Sequence, residues 1–148
     1  MADDYKLPNP NLGFSGQDPL ILLAMLIWGE ARGENAEGKL AVGWVVRNRT
    51  ALQPRFGIGW KGVILKPWQF SCFNENDPNR VKLLTPIQHE GLAVWSACVA
   101  AASVAFAGDG HDPSNGGLVY FSKPITAPPP AWGNVRPTAQ IGGLHFYR

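Results

Sequence analysis

Nine consecutive residues, Leu20 to Trp28, read LILLAMLIW without a charged or hydrogen-bonding side chain until the Trp28 indole. They follow Asp18 and Pro19, a capping side chain and a residue whose fixed φ suits a first helical turn, so a helix starts there. Such a helix is apolar nearly all round and has to lie in the middle of a globule. The run is too short for a bilayer, which takes about 20 residues to cross. The helix is expected to stop near Gly33, where a left-handed residue costs little. A second helix is expected after Asn35, through AEGKLAVGWVVRNRT, with Arg47 and Arg49 near the end where the helix dipole favours cations. The two form a hairpin whose turn holds Arg32, Gly33, Glu34 and Asn35.

Residues 53–83 are rich in proline, glycine and aromatics, around Phe56, Trp60 and Trp68 to Phe73, and are expected to form loops and short helical turns. Thr85, Pro86 and Gln88 read as a capping box, so a third long helix is expected through the alanine-rich run to Ala107, ending at Gly108. Beyond Asp109 the sequence turns to Gly/Pro/Asn-rich loops, with one short strand expected at Leu118 to Phe121. The fold class that follows is mainly α with a minor β part. Residues 1–17 are read as an N-terminal extension and 18–148 as a single domain with long aromatic-rich loops, which usually line a site.

At 148 residues one core is expected, large enough to need no staple. Cys72 and Cys98 form no framework or metal spacing and read as small packing residues in a reduced compartment. A net charge of +2, with 16% charged residues and no long Lys/Arg block, argues against nucleic acid as the partner. Met1 to Pro10 show acidic residues and prolines where an export leader would show a basic start and an apolar run, so the chain is expected to be made without a secretion signal, as a monomer with no stable membrane association.

Glu30 stands out. It sits at the C-terminal end of the apolar helix, so its carboxylate borders the core; desolvation and the helix dipole both raise its pKa. A carboxyl protonated near neutrality is a general acid, which glycosidic bond cleavage requires. The alternative is an outward-facing side chain, or an ion pair with Arg32, Arg47 or Arg49. Glu34 is the possible second carboxylate, although Gly33 places it in the turn; Glu37, Asp109 and Asp112 are further ones that no spacing puts beside Glu30.

Six Trp, seven Phe and three Tyr, many in segments such as WQFSCF and YFSKP, offer flat apolar faces on which pyranose rings pack, with Gln69, Ser71, Asn74 and Ser122 as hydrogen-bonding neighbours. Each of these aromatics could equally be a core or loop anchor. His89, His111 and His145 lack zinc spacing, and the loop DGHDPSNGG lacks the alternating acidic positions of a calcium loop, so no metal or cofactor is expected.

Several segments, taken in order, resemble the SleB-type cell wall hydrolase family, which includes spore-cortex-lytic enzymes and related phage lysins. They are GEARGE (Gly29 to Glu34), AVGWVVRNR (Ala41 to Arg49), QFS (Gln69 to Ser71), DPSNGGLVYF (Asp112 to Phe121) and HFYR (His145 to Arg148). The resemblance implies a lysozyme-like or lytic-transglycosylase-like fold acting on peptidoglycan glycan strands between N-acetylmuramic acid and N-acetylglucosamine. It places the family's catalytic acid on Glu30. It also implies a one-carboxylate transglycosylase reaction, with a hydrolytic muramidase or a non-catalytic wall-binding protein as alternatives. Gln69, Phe70, Ser71, Tyr120 and Phe121 are expected to line the groove, with His145 and Tyr147 bordering it. The missing leader suggests a phage endolysin held in the host cytoplasm until it is released to the wall.

Overall fold

The structure, a computed structural model, describes residues 6–122 and 127–148. Helix α1 spans Pro19–Ala31, with the Asp18 side chain accepting from the Leu20 N–H at 2.9 Å. Every residue from Ile21 to Trp28 is buried, as an all-apolar helix requires. Helix α2, Ala36–Thr50, starts from an Asn35 side chain that accepts from the Gly38 N–H at 2.7 Å. The expected hairpin forms, but Gly33 is not left-handed and α1 ends before it. Arg32 supplies the stop instead, its guanidinium donating to the Trp28 carbonyl at 3.2 Å while stacking over the Trp28 ring. A side chain thus takes the role in which a left-handed glycine was expected.

The loop-rich middle contains α3, Gly59–Ile64, and two short 3-10 turns at Ser71–Phe73 and Arg80–Lys82. The third long helix is not continuous. It divides into α4, Pro86–Glu90, and α5, Leu92–Ala107, because Gly91 adopts φ +86°, a conformation that ends a helix and that glycine tolerates. The expected capping box does not form, since the Thr85 side chain makes no cap hydrogen bond. The C-terminal limit is as expected, with Gly108 left-handed after α5. Helix α5 packs on both α1 and α2, and Arg47 donates to the Phe106 carbonyl at its end.

The C-terminal part holds more β structure than the single expected strand. Strand β1, Val119–Ser122, pairs antiparallel with β3, Leu144–Tyr147, which pairs with β2, Pro137–Ile141, giving the order β1-β3-β2. The register Ile141 opposite Leu144 leaves Gly142 and Gly143 as a two-residue turn. One face of this sheet, with Tyr120, Leu144 and Phe146, closes the core; the other carries Phe121, His145 and Tyr147. Strand β1 leaves a loop organised by Asp112, whose carboxylate accepts from Ser114, Gly116 and Asn48, so the loop is turn-rich as expected. The described part of the expected extension, residues 6–17, is mostly exposed but anchored at a few points. Gln17 is buried and its amide donates to the Asn9 and Gly13 carbonyls, while the Trp95 indole N–H donates to the Lys6 carbonyl.

One close approach positions the site. A β-carbon on Gly29 in α1 would lie 2.6 Å from Cys72 Cβ and 2.7 Å from its Sγ, so only glycine lets the Ser71–Phe73 turn sit against the end of α1. Gly29→Ala is expected to destabilise the fold by about 1–3 kcal/mol through overpacking, whereas Gly33→Ala, with nothing within 4 Å, stays within about 0.5 kcal/mol of the unaltered chain. Urea denaturation of the two variants checks this.

Candidate active site

The last turn of α1 carries Glu30 out of the core to the floor of a cleft of about 420 Å³. Two elements meet its carboxylate. From β1 the Tyr120 hydroxyl donates at 3.0 Å, and from the Ser71–Phe73 turn the Ser71 hydroxyl lies at 3.4 Å, joined by the Cys72 backbone. Burial pushes the Glu30 carboxyl above the ordinary range, and the hydrogen bonds from Tyr120, Cys72 and Ser71 offset part of that rise. The ion pairs left open by the sequence do not form: Arg32 bonds Glu90 at 3.4 Å, Arg47 caps α5, and Arg49 donates to the Leu118 carbonyl at 2.6 Å.

The cleft gathers some of the expected residues and not others. Gln69, Phe70 and Tyr120 line it with Glu30, and Ser71 touches the carboxylate itself. Phe121, His145 and Tyr147 lie on the other face of the sheet, where Phe121 stacks on His145 at 5.1 Å and on Tyr147 at 5.5 Å. Trp132, which lines the cleft, has its ring 6.1 Å from both Phe121 and Tyr147, and Val119, the strand partner of Tyr147, lines it too. Glu34 is not among the lining residues; its carboxylate lies against Gly142 in the β2–β3 turn. Among the described residues Glu30 is the sole carboxylate lining the cleft. The described residues also contain no cluster of His, Cys, Asp or Glu suited to a metal ion, and no helix long and apolar enough to cross a membrane.

The residue that sequence reasoning missed is Arg49, which had read as a dipole-complementing cation. It is 5% exposed and lies between the rings of Phe56 and Phe70, at 4.9 and 4.8 Å, with Gln69 Oε1 at 3.4 Å. By holding Leu118 it fixes β1 two residues before Tyr120, and so sets where the Tyr120 hydroxyl meets Glu30. Burial pulls its guanidinium pKa down and the nearby Glu30 charge raises it. The signal was an arginine interrupting an apolar helix face, but only β1, distant in sequence, shows what it holds. Trp68 and Trp132 also line the cleft from loops. Cys72 and Cys98 are free and buried, and burial pushes both thiols up, Cys98 to about 11, so neither is a thiolate nucleophile at neutral pH.

A family model described as Cell Wall Hydrolase matches residues 33–147. The chain belongs to the cell wall hydrolase family. This establishes the SleB-type resemblance seen in the motifs, although the matched span begins just after Glu30 and leaves the role of Glu30 to geometry. The spore cortex-lytic enzymes of Bacillus subtilis strain 168 and Halalkalibacterium halodurans are 33% and 32% identical, over 91% and 99% of this chain. The chain spans 38% and 39% of the length of those two relatives. The fold matches the catalytic domain of the germination-specific lytic transglycosylase SleB from Bacillus anthracis with a TM-score of 0.67 at 23% identity, over 88% of this chain and 93% of that one. It also matches the catalytic domain of the Bacillus cereus SleB protein, with a TM-score of 0.62 at 25% identity over 97% and 96%. The expected lysozyme-like, mainly helical architecture of this cell wall hydrolase is therefore established.

The raised Glu30 pKa has a definite sign in stability. The native state holds this proton more tightly than the unfolded chain, so the contribution to stability is present in acid and is lost as pH rises through the native pKa. Glu30→Gln, which removes a desolvated charge, is expected to melt higher than the unaltered chain above neutrality. The advantage should shrink in acid, and calorimetry across pH reads it.

Proposed function

We propose that this chain cleaves peptidoglycan glycan strands between N-acetylmuramic acid and N-acetylglucosamine as a lytic transglycosylase, with Glu30 as acid and then base. The observation that carries this is a single desolvated carboxyl facing the cleft, held by three donors and, among the described residues, in no ion pair. Hydrolytic mechanisms use two carboxyl groups, about 5–5.5 Å apart when retaining and about 6.5–9.5 Å when inverting. The cleft provides one among its described residues.

Burial favours the protonated form of Glu30, the form that gives its proton to the departing N-acetylglucosamine oxygen as the bond to muramic acid C1 breaks. The carboxylate so formed is stabilised by the Tyr120 hydroxyl, the Ser71 hydroxyl and the Cys72 backbone, and Arg49 lies near it. It then takes the proton of the muramic acid 6-hydroxyl, whose oxygen closes on C1 to give a 1,6-anhydro ring. The carboxyl is regenerated and no water is consumed. Gln69 and Phe70 line the path of the strand; no cofactor or metal takes part. The chain acts as a monomer, without stable membrane association, on peptidoglycan as its partner.

We place this activity in a phage endolysin, held in the host cytoplasm until it meets the wall. The cortex-lytic names of the relatives support the substrate class, and the lysis role is tested by challenging vegetative walls and spore cortex side by side. Lysis of vegetative walls is expected; cutting confined to cortex would give the chain a spore role instead.

Mass spectrometry of fragments released from purified peptidoglycan tests the chemistry. Products ending in 1,6-anhydromuramic acid are expected, with Glu30→Gln slower by about 10²–10⁴-fold, the usual contribution of a general acid. Fragments one water heavier would make the chain a muramidase, and binding without cleavage would make it a wall-binding protein. Tyr120→Phe removes a hydrogen bond that favours the Glu30 carboxylate, so the alkaline limb of its pH–rate profile should move to higher pH.

A further inference from the structure

Trp68 is 76% exposed, the most exposed large apolar side chain on the cleft. It stands in the turn Lys66 to Gln69, which is closed by a hydrogen bond of 3.2 Å from the Gln69 N–H to the Lys66 carbonyl. Pro67 holds the second position and Trp68 the third, with φ +68°, the pattern of a type II turn. Glycine or asparagine normally takes that third position, because a β-carbon is strained there. This chain spends the strain on a bulky residue facing water. The strain gains no packing, since among the described residues the Trp68 ring joins neither the core cluster nor any aromatic pair. An outlier of this kind, kept at the mouth of a cleft, points to a ligand.

The ring borders two spaces. One is the cleft that holds Glu30; the other is a groove of about 510 Å³, lined by Leu65, Phe73, Asn74, Glu75 and Asn76. A flat apolar face flanked by amide side chains suits a pyranose ring, whose C–H face stacks while its hydroxyl and acetamido groups find hydrogen-bond partners. A polymer bound at Glu30 has to leave the cleft somewhere, and Trp68 is the ridge shared with the neighbouring groove. We propose that Trp68 is a sugar-stacking platform that carries the glycan strand from the catalytic cleft into the groove beside Asn74 and Asn76, a distal subsite for an N-acetylated amino sugar. The inference rests on the reading of the cleft as a glycan site, and deepens it.

Trp68→Gly removes the ring and gives the turn the residue it prefers, so a structural role and a binding role predict opposite results. In the Glu30→Gln background, which binds without cutting, affinity is measured by titration with peptide-free glycan strands and with a muramic acid–glucosamine disaccharide. Adding Trp68→Gly is expected to weaken binding of long strands about tenfold, the scale of one aromatic platform, with a smaller loss on the disaccharide and no fall in Tm. Trp68→Phe should keep most of the affinity, and Asn76→Ala should weaken long strands alone. Unchanged long-strand affinity in the Trp68→Gly chain, or a lower Tm with binding intact, overturns the proposal. Cleavage of peptidoglycan by the unaltered chain is scored separately: its absence would sink the catalytic reading while strand affinity still decides the platform.

Discussion

A helix that is apolar on every side must be enclosed on every side, and this constraint organises the molecule. Ile21 to Trp28 are covered by α2, α3, α5 and the Ser71–Phe73 turn, so the rest of the chain is arranged as a shell around α1. The shell opens into the cleft where the apolar run ends, and Glu30 is the residue at that opening. A carboxyl thus reaches the edge of a dry interior without being built from a loop, and its position is as rigid as the core. Gly29, one residue earlier, has no side chain, which is why a loop can close against the helix at that point and supply donors to Glu30.

The chemistry of Glu30 is a balance of opposed effects. Burial favours the neutral acid; the hydroxyls of Tyr120 and Ser71 and the Cys72 backbone favour the anion. A group that must first give a proton and then take one back benefits from both, because neither state is left without support. Arg49 is drawn away from direct pairing by the Leu118 carbonyl and two aromatic faces. Had it formed an ion pair with Glu30, the carboxyl would have been held ionised and unable to act as an acid.

Much of the helical frame was legible in the sequence because it depends on local signals. Asp18 with Pro19, Asn35, and Gly108 mark boundaries that the structure keeps, each through a contact made within one helical turn. The failures are instructive in the same terms. Thr85, Pro86 and Gln88 have the composition of a capping box, yet Gly91 redirects the chain so that α4 and α5 become separate helices. The β2–β3 hairpin carried its own signal, Gly142-Gly143 between two short runs, but Pro137 and the brevity of the runs masked it. Glu34, four residues from Glu30 but assigned by Gly33 to the turn, lies there against Gly142, while the period-two alternation of the strands puts Phe121, His145 and Tyr147 on the sheet face opposite Tyr120.

By itself the sequence determined that one helix would be central, that a carboxylate would stand at its end, and that aromatic loops would be available nearby. Those follow from composition and periodicity along a single segment. Which side chains meet Glu30 was decided only by the tertiary structure. Tyr120 is 90 residues away along the chain, Ser71 is 41, and Arg49 acts through a strand 69 residues on. Such contacts are set by how α1, the Ser71–Phe73 turn and the β1–β3 sheet pack together, and no local pattern encodes a distance between segments that only the shared core brings into register.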